Sequence, residues 1–381
     1  MRRLTIGFIP LLDCASLVAA HARGFAAEEG LELTLVRETS WANIRDRLIV
    51  GHFDAAHMLA PMAVASTLGI GHVRVPLIAP CSLGLGGNGI AVSMELWGWM
   101  RGEGAAPGGH PTVQGMALRR VIARRASAGL APLTFGMVYP FSCHNYELRY
   151  WLAASGVDPD HDVRLVVMPP PLLGDALRAG QIDGFCVGEP WNSMAVDAEL
   201  AAIAVPTTAI WPLSPEKVLG CRAEWAEGHR PVLEALVRAL YRAALWCERQ
   251  ANHAELADLL AEPRHLGIPA KVLLRGLTGR LILTSEGDTE AYANFFVPAS
   301  RWATFPWTSH ALWYYTQMIR WRQIELVAEH PALAAAAYRP DIYRAALAPL
   351  GNEMPHEDAK SEVFFDNRVF DPTELVSWLA R

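Results

Sequence analysis

The chain predicts two similar α/β lobes, each built on a mainly parallel sheet. Residues 46–54 and 175–183 share one pattern, D-x-L-x-x-G-x-x-D. Each copy follows a strand-like run and a helix-like run, and each leads into a further apolar run. The chain has 381 residues, 52% hydrophobic and 19% charged, which suits about two domains around a large core.

The elements follow in order. Thr5, Ile6, Gly7, Phe8, Ile9 and Pro10 read as a first buried strand. Asp13 is expected to cap the next helix, and Gly24 to interrupt that helix near its end. A strand at 33–36 precedes a helix from Trp41, with Ser40 as N-cap and Trp41, Ile44 and Leu48 on one face. Gly51 supplies the left-handed stop, and Asp54 turns the chain into a strand at Ala55–Leu59. The second lobe repeats this. A strand at 133–138 leads to a helix from Cys143 capped by Ser142, with Leu148, Trp151 and Leu152 before Gly156. Gly180 and Asp183 then lead into a strand at 184–187. Residues 101–111, rich in Gly and Pro, read as an exposed loop. The last third reads as helical and Trp-rich. Asp371 should cap a final helix with Pro372 at its first position and 373–379 as its body. Lobe I is expected at 1–90 plus about 205–325 and lobe II at about 91–204. A helical C-terminal extension, about 326–381, should pack on lobe I.

A net charge of −6 argues against a nucleic-acid-binding surface, which needs a basic footprint. Six scattered cysteines without a C-x-x-C pair suit a reducing compartment better than a disulfide framework. Arg2-Arg3 before an apolar run imitates a signal peptide, but Pro10 and Asp13 break the run. Asp13 also stands where a lipoprotein box needs a small residue. No stretch reaches the roughly 18 apolar residues of a membrane span. A cytoplasmic location is therefore expected, with no membrane association.

Trp41 and His144 each fall in the first turn of a helix that follows a strand. Helix starts offer free N–H groups to anions, and ligands of open α/β sheets bind beyond the carboxyl ends of strands. Two facing lobes would bring both helix starts to one cleft. Trp41 could equally be a hydrophobic wedge, and His144 a capping group. Lys217 is one of only three lysines, beside a strand or helix start; a surface position is the ordinary alternative. Residues 84–89 contain G-x-G-x-x-G, but a strand rather than a helix follows, so a nucleotide loop is rejected. A glycine loop crossing between lobes fits better. The 13 histidines are dispersed, no H-E-x-x-H occurs, and no nucleophile motif or P-loop is present. This predicts no metal, no cofactor and no catalysis. Glu189 reads as a hinge residue, a latch, a ligand contact or a plain turn carboxylate.

Residues 6–8 with Asp13, Cys14 and Ala15 resemble segments of the nitrate- and bicarbonate-binding (NrtA/CmpA-like) solute-binding proteins of ABC importers. So do residues 40–48, 57–62, 150–153, 188–192 and 215–219. The similarity spans roughly residues 4–325, and the motifs at Trp41 and at 188–192 (G-E-P-W-N) carry most of it. It implies a two-lobed type II periplasmic-binding-protein-like fold with the ligand between the lobes. Position by position, Trp41, His144 and Lys217 match the family's anion contacts. Asn88 falls where the importers often carry Gln, and Glu189 lies in the matching motif. Importers carry an export signal and tether before the first strand. Without them this chain looks most like the cytoplasmic nitrate/nitrite sensors of the NasS type. That resemblance implies nitrate or nitrite as ligand and, as partner, an ANTAR-type RNA-binding antiterminator (NasT-like) held inactive until the anion arrives. The alternative is the substrate-binding component of a nitrate or bicarbonate importer whose export signal is missing. The fold-related pyrimidine-precursor enzymes carry a cysteine cluster that this chain lacks.

Nitrate is a flat monoanion. Its receptor needs donors in a plane and about one positive charge. Lys217 would supply the charge, while Trp41, Asn88, His144 and helix N–H groups would supply donors. One cation about 4 Å away is worth around 4 kcal/mol at an effective dielectric near 20. Micromolar binding needs about 8 kcal/mol, so several donors must share it.

Overall fold

A computed structural model describes residues 1–71 and 74–380. Its frame is built from β1 (Arg2–Phe8), β2 (Leu31–Arg37), β3 (Ala55–Leu59), β4 (Leu77–Ser82), β5 (Asn88–Ser93), β6 (Leu133–Met137), β7 (Val163–Val167), β8 (Gly184–Gly188), β9 (Ala201–Pro206) and β10 (Lys217–Arg222). Two five-stranded sheets result, in the orders β2-β1-β3-β10-β4 and β9-β5-β8-β6-β7. β1, β2 and β3 pair in parallel, as do β6, β7 and β8. One strand in each sheet runs against its neighbours: β10 lies antiparallel between β3 and β4, and β5 antiparallel between β8 and β9. Both are the first strands reached after the chain crosses between sheets. Lys217 opens β10 and Asn88 opens β5, so both residues stand at the crossovers. The second sheet thus takes up the chain from Asn88 rather than from about residue 91.

The repeat has a physical explanation. Asp54 Oδ2 accepts the Thr5 N–H at 2.8 Å, and the Asp54 N–H donates to the Thr5 carbonyl at 2.9 Å. Asp183 does the same to Thr134, at 2.7 Å and 2.7 Å. Each pattern ends by clipping its own strand onto the first strand of its sheet. Gly51 and Gly180 adopt φ of +82° and +65°, the left-handed stop that precedes each clip.

The helices that matter below are α1 (Ala15–Ala22), α2 (Trp41–Ile49), α3 (Cys143–Ala154), α4 (Trp191–Asp197), α5 (Ala270–Thr278) and α6 (Thr308–Arg320). Ser40 Oγ caps α2 by accepting the Asn43 N–H at 3.2 Å, and Ser142 Oγ caps α3 by accepting the Asn145 N–H at 3.0 Å. Gly24, at φ +81°, separates α1 from a further turn of helix at Phe25–Glu28.

Two capping expectations are corrected. Asp13 lies in a single 3-10 turn, Leu12–Cys14, and caps nothing; its carboxylate is taken by the Lys217 ammonium and by His57. Asp371 closes a local turn on Thr373 (2.9 Å), and the last helix begins four residues on, at Leu375–Leu379. The C-terminal extension is not purely helical. Its helix Pro340–Leu347 packs on the lobe I helix Arg230–Glu248. A short hairpin, Glu362–Val363 with Val369–Phe370, then reaches lobe II. There Asp366 accepts from the Tyr150 hydroxyl at 3.1 Å, and Trp378 lies parallel to the Tyr150 ring at 6.3 Å. Most of the tryptophans of the C-terminal third are turned inward: Trp307, Trp313 and Trp378 are buried, with Trp313 against Trp211 at 4.6 Å, while Trp302 is exposed. No helix of the described residues is long and apolar enough to cross a membrane.

Candidate anion-binding site

Lys217 is the centre of the site. Its side chain is fully buried, and Nζ donates to Asp13 Oδ2 at 2.8 Å and Glu216 Oε2 at 2.5 Å. Burial alone would discharge it, but the two carboxylates outweigh that cost and hold the ammonium above the ordinary lysine range. The Trp41 ring lies 5.5 Å from Nζ, within reach of a cation–π contact.

Asp13 joins Lys217 to a second buried group. The Ile9 N–H donates to His57 Nδ1 at 3.4 Å, so His57 carries its proton on Nε2 and donates it to Asp13 Oδ1 at 2.8 Å. Burial and the nearby Lys217 keep His57 neutral against the pull of Asp13, below its ordinary pKa. Burial would raise the Asp13 carboxyl, yet Lys217 and His57 together hold it below the usual carboxylate range.

The opposite wall comes from lobe II. His144, on the first turn of α3, is fully buried. Burial, reinforced by Lys217, keeps it neutral at neutral pH. Its Nε2 lies 3.8 Å from Glu216 Oε2. Cys143 Sγ donates to Glu216 Oε2 at 2.9 Å, and burial pushes that thiol well up, so it remains a donor. The ligating atoms of Cys143, His144 and Glu216 lie within 4.8 Å of one another. Glu216 is already committed to the Lys217 ammonium, which a metal cation would have to displace. The trio therefore fits a hydrogen-bonded wall and not a metal centre. Asn88 Nδ2 donates to Glu147 Oε2 at 3.2 Å and also to Glu216 Oε1.

Four of the five predicted residues meet here. Trp41, Asn88, His144 and Lys217 are each at most 1% exposed, so the site is enclosed between the lobes. Trp41 Nε1 and His144 Nε2 have no hydrogen-bond partner among the described residues. A buried unsatisfied donor costs about 1–3 kcal/mol, so Trp41 Nε1 favours an acceptor. His144 Nε2 does the same in the tautomer that carries its proton there, while Nδ1 faces Cys143 Sγ at 3.7 Å. Asn88 differs from expectation. Its N–H groups serve the two glutamates, and its free atom is the acceptor Oδ1.

Glu189 stands apart as an interlobe latch. Its carbonyl accepts the Leu12 N–H at 2.8 Å, and Trp191 Nε1 donates to the Pro10 carbonyl at 3.2 Å. Its carboxylate turns to the Ser193 N–H (3.3 Å), at the start of α4, instead of to Lys217. Burial pushes it up to about 7.

Sequence alone gives Asp13 only a capping role and a place in a family motif, and gives His57, Glu147 and Glu216 no role in the site. The available signal was Lys217 itself: a buried ammonium must have carboxylate partners. His57, inside an otherwise apolar strand, was a second.

The fold and the enclosed site define a two-lobed solute-binding protein. The family model described as NMT1-like family matches residues 1–261, and the chain belongs to that family. A nitrate import ATP-binding protein NrtC from Synechocystis is 35% identical over 99% of this chain, which spans 55% of NrtC. The nitrate/nitrite binding protein NrtA from Synechococcus elongatus is 33% identical, over 100% of this chain and 86% of NrtA. The crystal structure of the periplasmic nitrate-binding protein NrtA from Synechocystis superposes with a TM-score of 0.92 at 26% identity, over 100% of this chain and 98% of the other.

Proposed function

We propose that this chain is a receptor for nitrate or nitrite that closes its lobes on the anion and acts as a cytoplasmic sensor. In this reading it restrains an ANTAR-type RNA-binding antiterminator until the anion arrives. The observation that carries the ligand class is the enclosed Lys217 ammonium beside the unpartnered Trp41 Nε1 and His144 Nε2. Relatives named for nitrate and nitrite binding support the choice of anion. Six free, buried thiols suit a reducing compartment and support the cytoplasmic placement.

A thermal-shift screen with nitrate, nitrite and hydrogencarbonate tests the ligand, because a bound anion raises stability by mass action. A shift with hydrogencarbonate alone would overturn the nitrate reading. Co-purification with the antiterminator, lost on adding nitrate, tests the sensor role, because ligand and partner must weaken each other reciprocally. Partner binding that ignores nitrate would overturn it.

The second reading is the substrate-binding component of an ABC importer. The import function for which NrtC is named favours it. Binding to a cognate permease, with no antiterminator interaction, would establish it.

A further inference from the structure

Glu147 and Glu216 are two buried carboxyl groups that share one amide, that of Asn88. Burial pushes the Glu216 carboxyl up as well, but Glu216 also accepts from Lys217 Nζ and Cys143 Sγ, contacts that favour its carboxylate form and that Glu147 lacks. Glu147 has Asn88 as its side-chain partner, and both its Oε1 and the Ser214 hydroxyl have no hydrogen-bond partner among the described residues. The other groups that sense its charge are Lys217, Cys143, Cys186 and Tyr314. Lys217 is the single cation among them, and Asp13 and Glu216 already engage it. Burial lowers both His57 and His144 from the ordinary histidine range, which favours their neutral forms.

An ionised Glu147 plus a monoanion would leave Asp13, Glu147, Glu216 and the ligand all negative against Lys217 alone. Each further uncompensated charge in an enclosed site is costly, and Glu147 is the carboxyl there with the fewest donors to support its charge. We infer that the anion enters together with one proton from solvent, and that Glu147 carries this proton while the lobes are closed. The inference rests on the anion-receptor reading. Glu147 is then a positioning residue that acts through Asn88: neutral, it adds no negative charge beside the anion.

Burial, reinforced by Glu216, pushes the Glu147 carboxyl up to about 8 in the closed form. In an open, hydrated cleft it would return toward about 4.3. Between those limits closure takes up a proton, so affinity falls as pH rises, by up to about tenfold per unit.

The test is calorimetric titration of sodium nitrate into the full chain from about pH 6 to about pH 8, in two buffers of different ionisation enthalpy. The expected result is a Kd rising about tenfold per pH unit, with a buffer-dependent enthalpy corresponding to about one proton taken up. Glu147→Gln, neutral at every pH, should bind at least about tenfold tighter than the unaltered chain at pH 8, with no buffer dependence. Nitrate binding that is independent of pH and buffer would overturn the inference, as would Glu147→Gln retaining the original slope. If that variant fails to fold, the two-buffer experiment on the unaltered chain decides alone. No binding of nitrate, nitrite or hydrogencarbonate at any pH would instead defeat the receptor reading itself.

Discussion

Lys217 Nζ donates to Asp13 Oδ2 at 2.8 Å, tying the first residue of the return strand to the first loop of the chain. The two residues are 204 positions apart and come from segments on either side of the second sheet's excursion. Their contact fixes a fully buried ammonium where the lobes meet. It also explains why the site tolerates a fully buried lysine.

Removing the ammonium should therefore harm both binding and stability. In Lys217→Met, nitrate affinity should fall about tenfold or more, a loss of at least about 1.4 kcal/mol by calorimetry. The variant also leaves Asp13 and Glu216 buried without their cation, so its Tm should drop. Adding Asp13→Asn should restore part of the Tm and none of the affinity. Unchanged nitrate affinity in Lys217→Met would remove this residue from the site.

Trp41 separates the same two effects differently. Its Nε1 has no partner among the described residues, while its ring packs near Lys217 and His57. Trp41→Phe keeps an aromatic ring and deletes the donor. Nitrate binding should weaken by about 1–2 kcal/mol. The Tm without anion should change little, because no protein hydrogen bond is lost. A large fall in Tm with intact binding would mean that Trp41 serves only packing.

The Asp13 pair has a pH signature. A carboxyl held below its unfolded pKa contributes stability above that unfolded value and loses it as pH falls through the folded one. The Tm advantage of the unaltered chain over Asp13→Asn should thus be full at neutral pH and shrink below about pH 4. Thermal melts at a series of pH values check this. An advantage that grows on acidification would contradict the pairing.

The latch is tested at Gly276 in α5. A Cβ there would lie 2.5 Å from Leu12 Cδ2 and 3.4 Å from Glu189 Cβ. Gly276→Ala should cost about 1–3 kcal/mol by overpacking the Leu12–Glu189 contact. Urea unfolding should show an earlier midpoint, and an unchanged midpoint would mean that the latch yields freely.

Much of the frame was legible because it follows local rules. The Ser40 and Ser142 caps, the strand at Ala55–Leu59 and both glycine stops lie where turn and cap chemistry puts them. The repeat was visible as a pattern, but its purpose was not. That purpose, the clip from Asp54 to Thr5 and from Asp183 to Thr134, spans 49 residues in each case. Trp41, His144 and Lys217 stood out as residue types at promising positions. Their partners did not, because Asp13, His57, Glu147 and Glu216 acquire meaning only through contacts between distant segments. Asp13 looked like a cap for the same reason: local chemistry offered it a role that a buried lysine, far along the chain, takes instead.

The most direct measurement is a crystal structure of the full chain grown with sodium nitrate. Nitrate density should lie between the lobes, within hydrogen-bond distance of Lys217 Nζ, Trp41 Nε1 and His144 Nε2. A cleft that closes without nitrate at those atoms, or nitrate bound only elsewhere, would contradict the assignment.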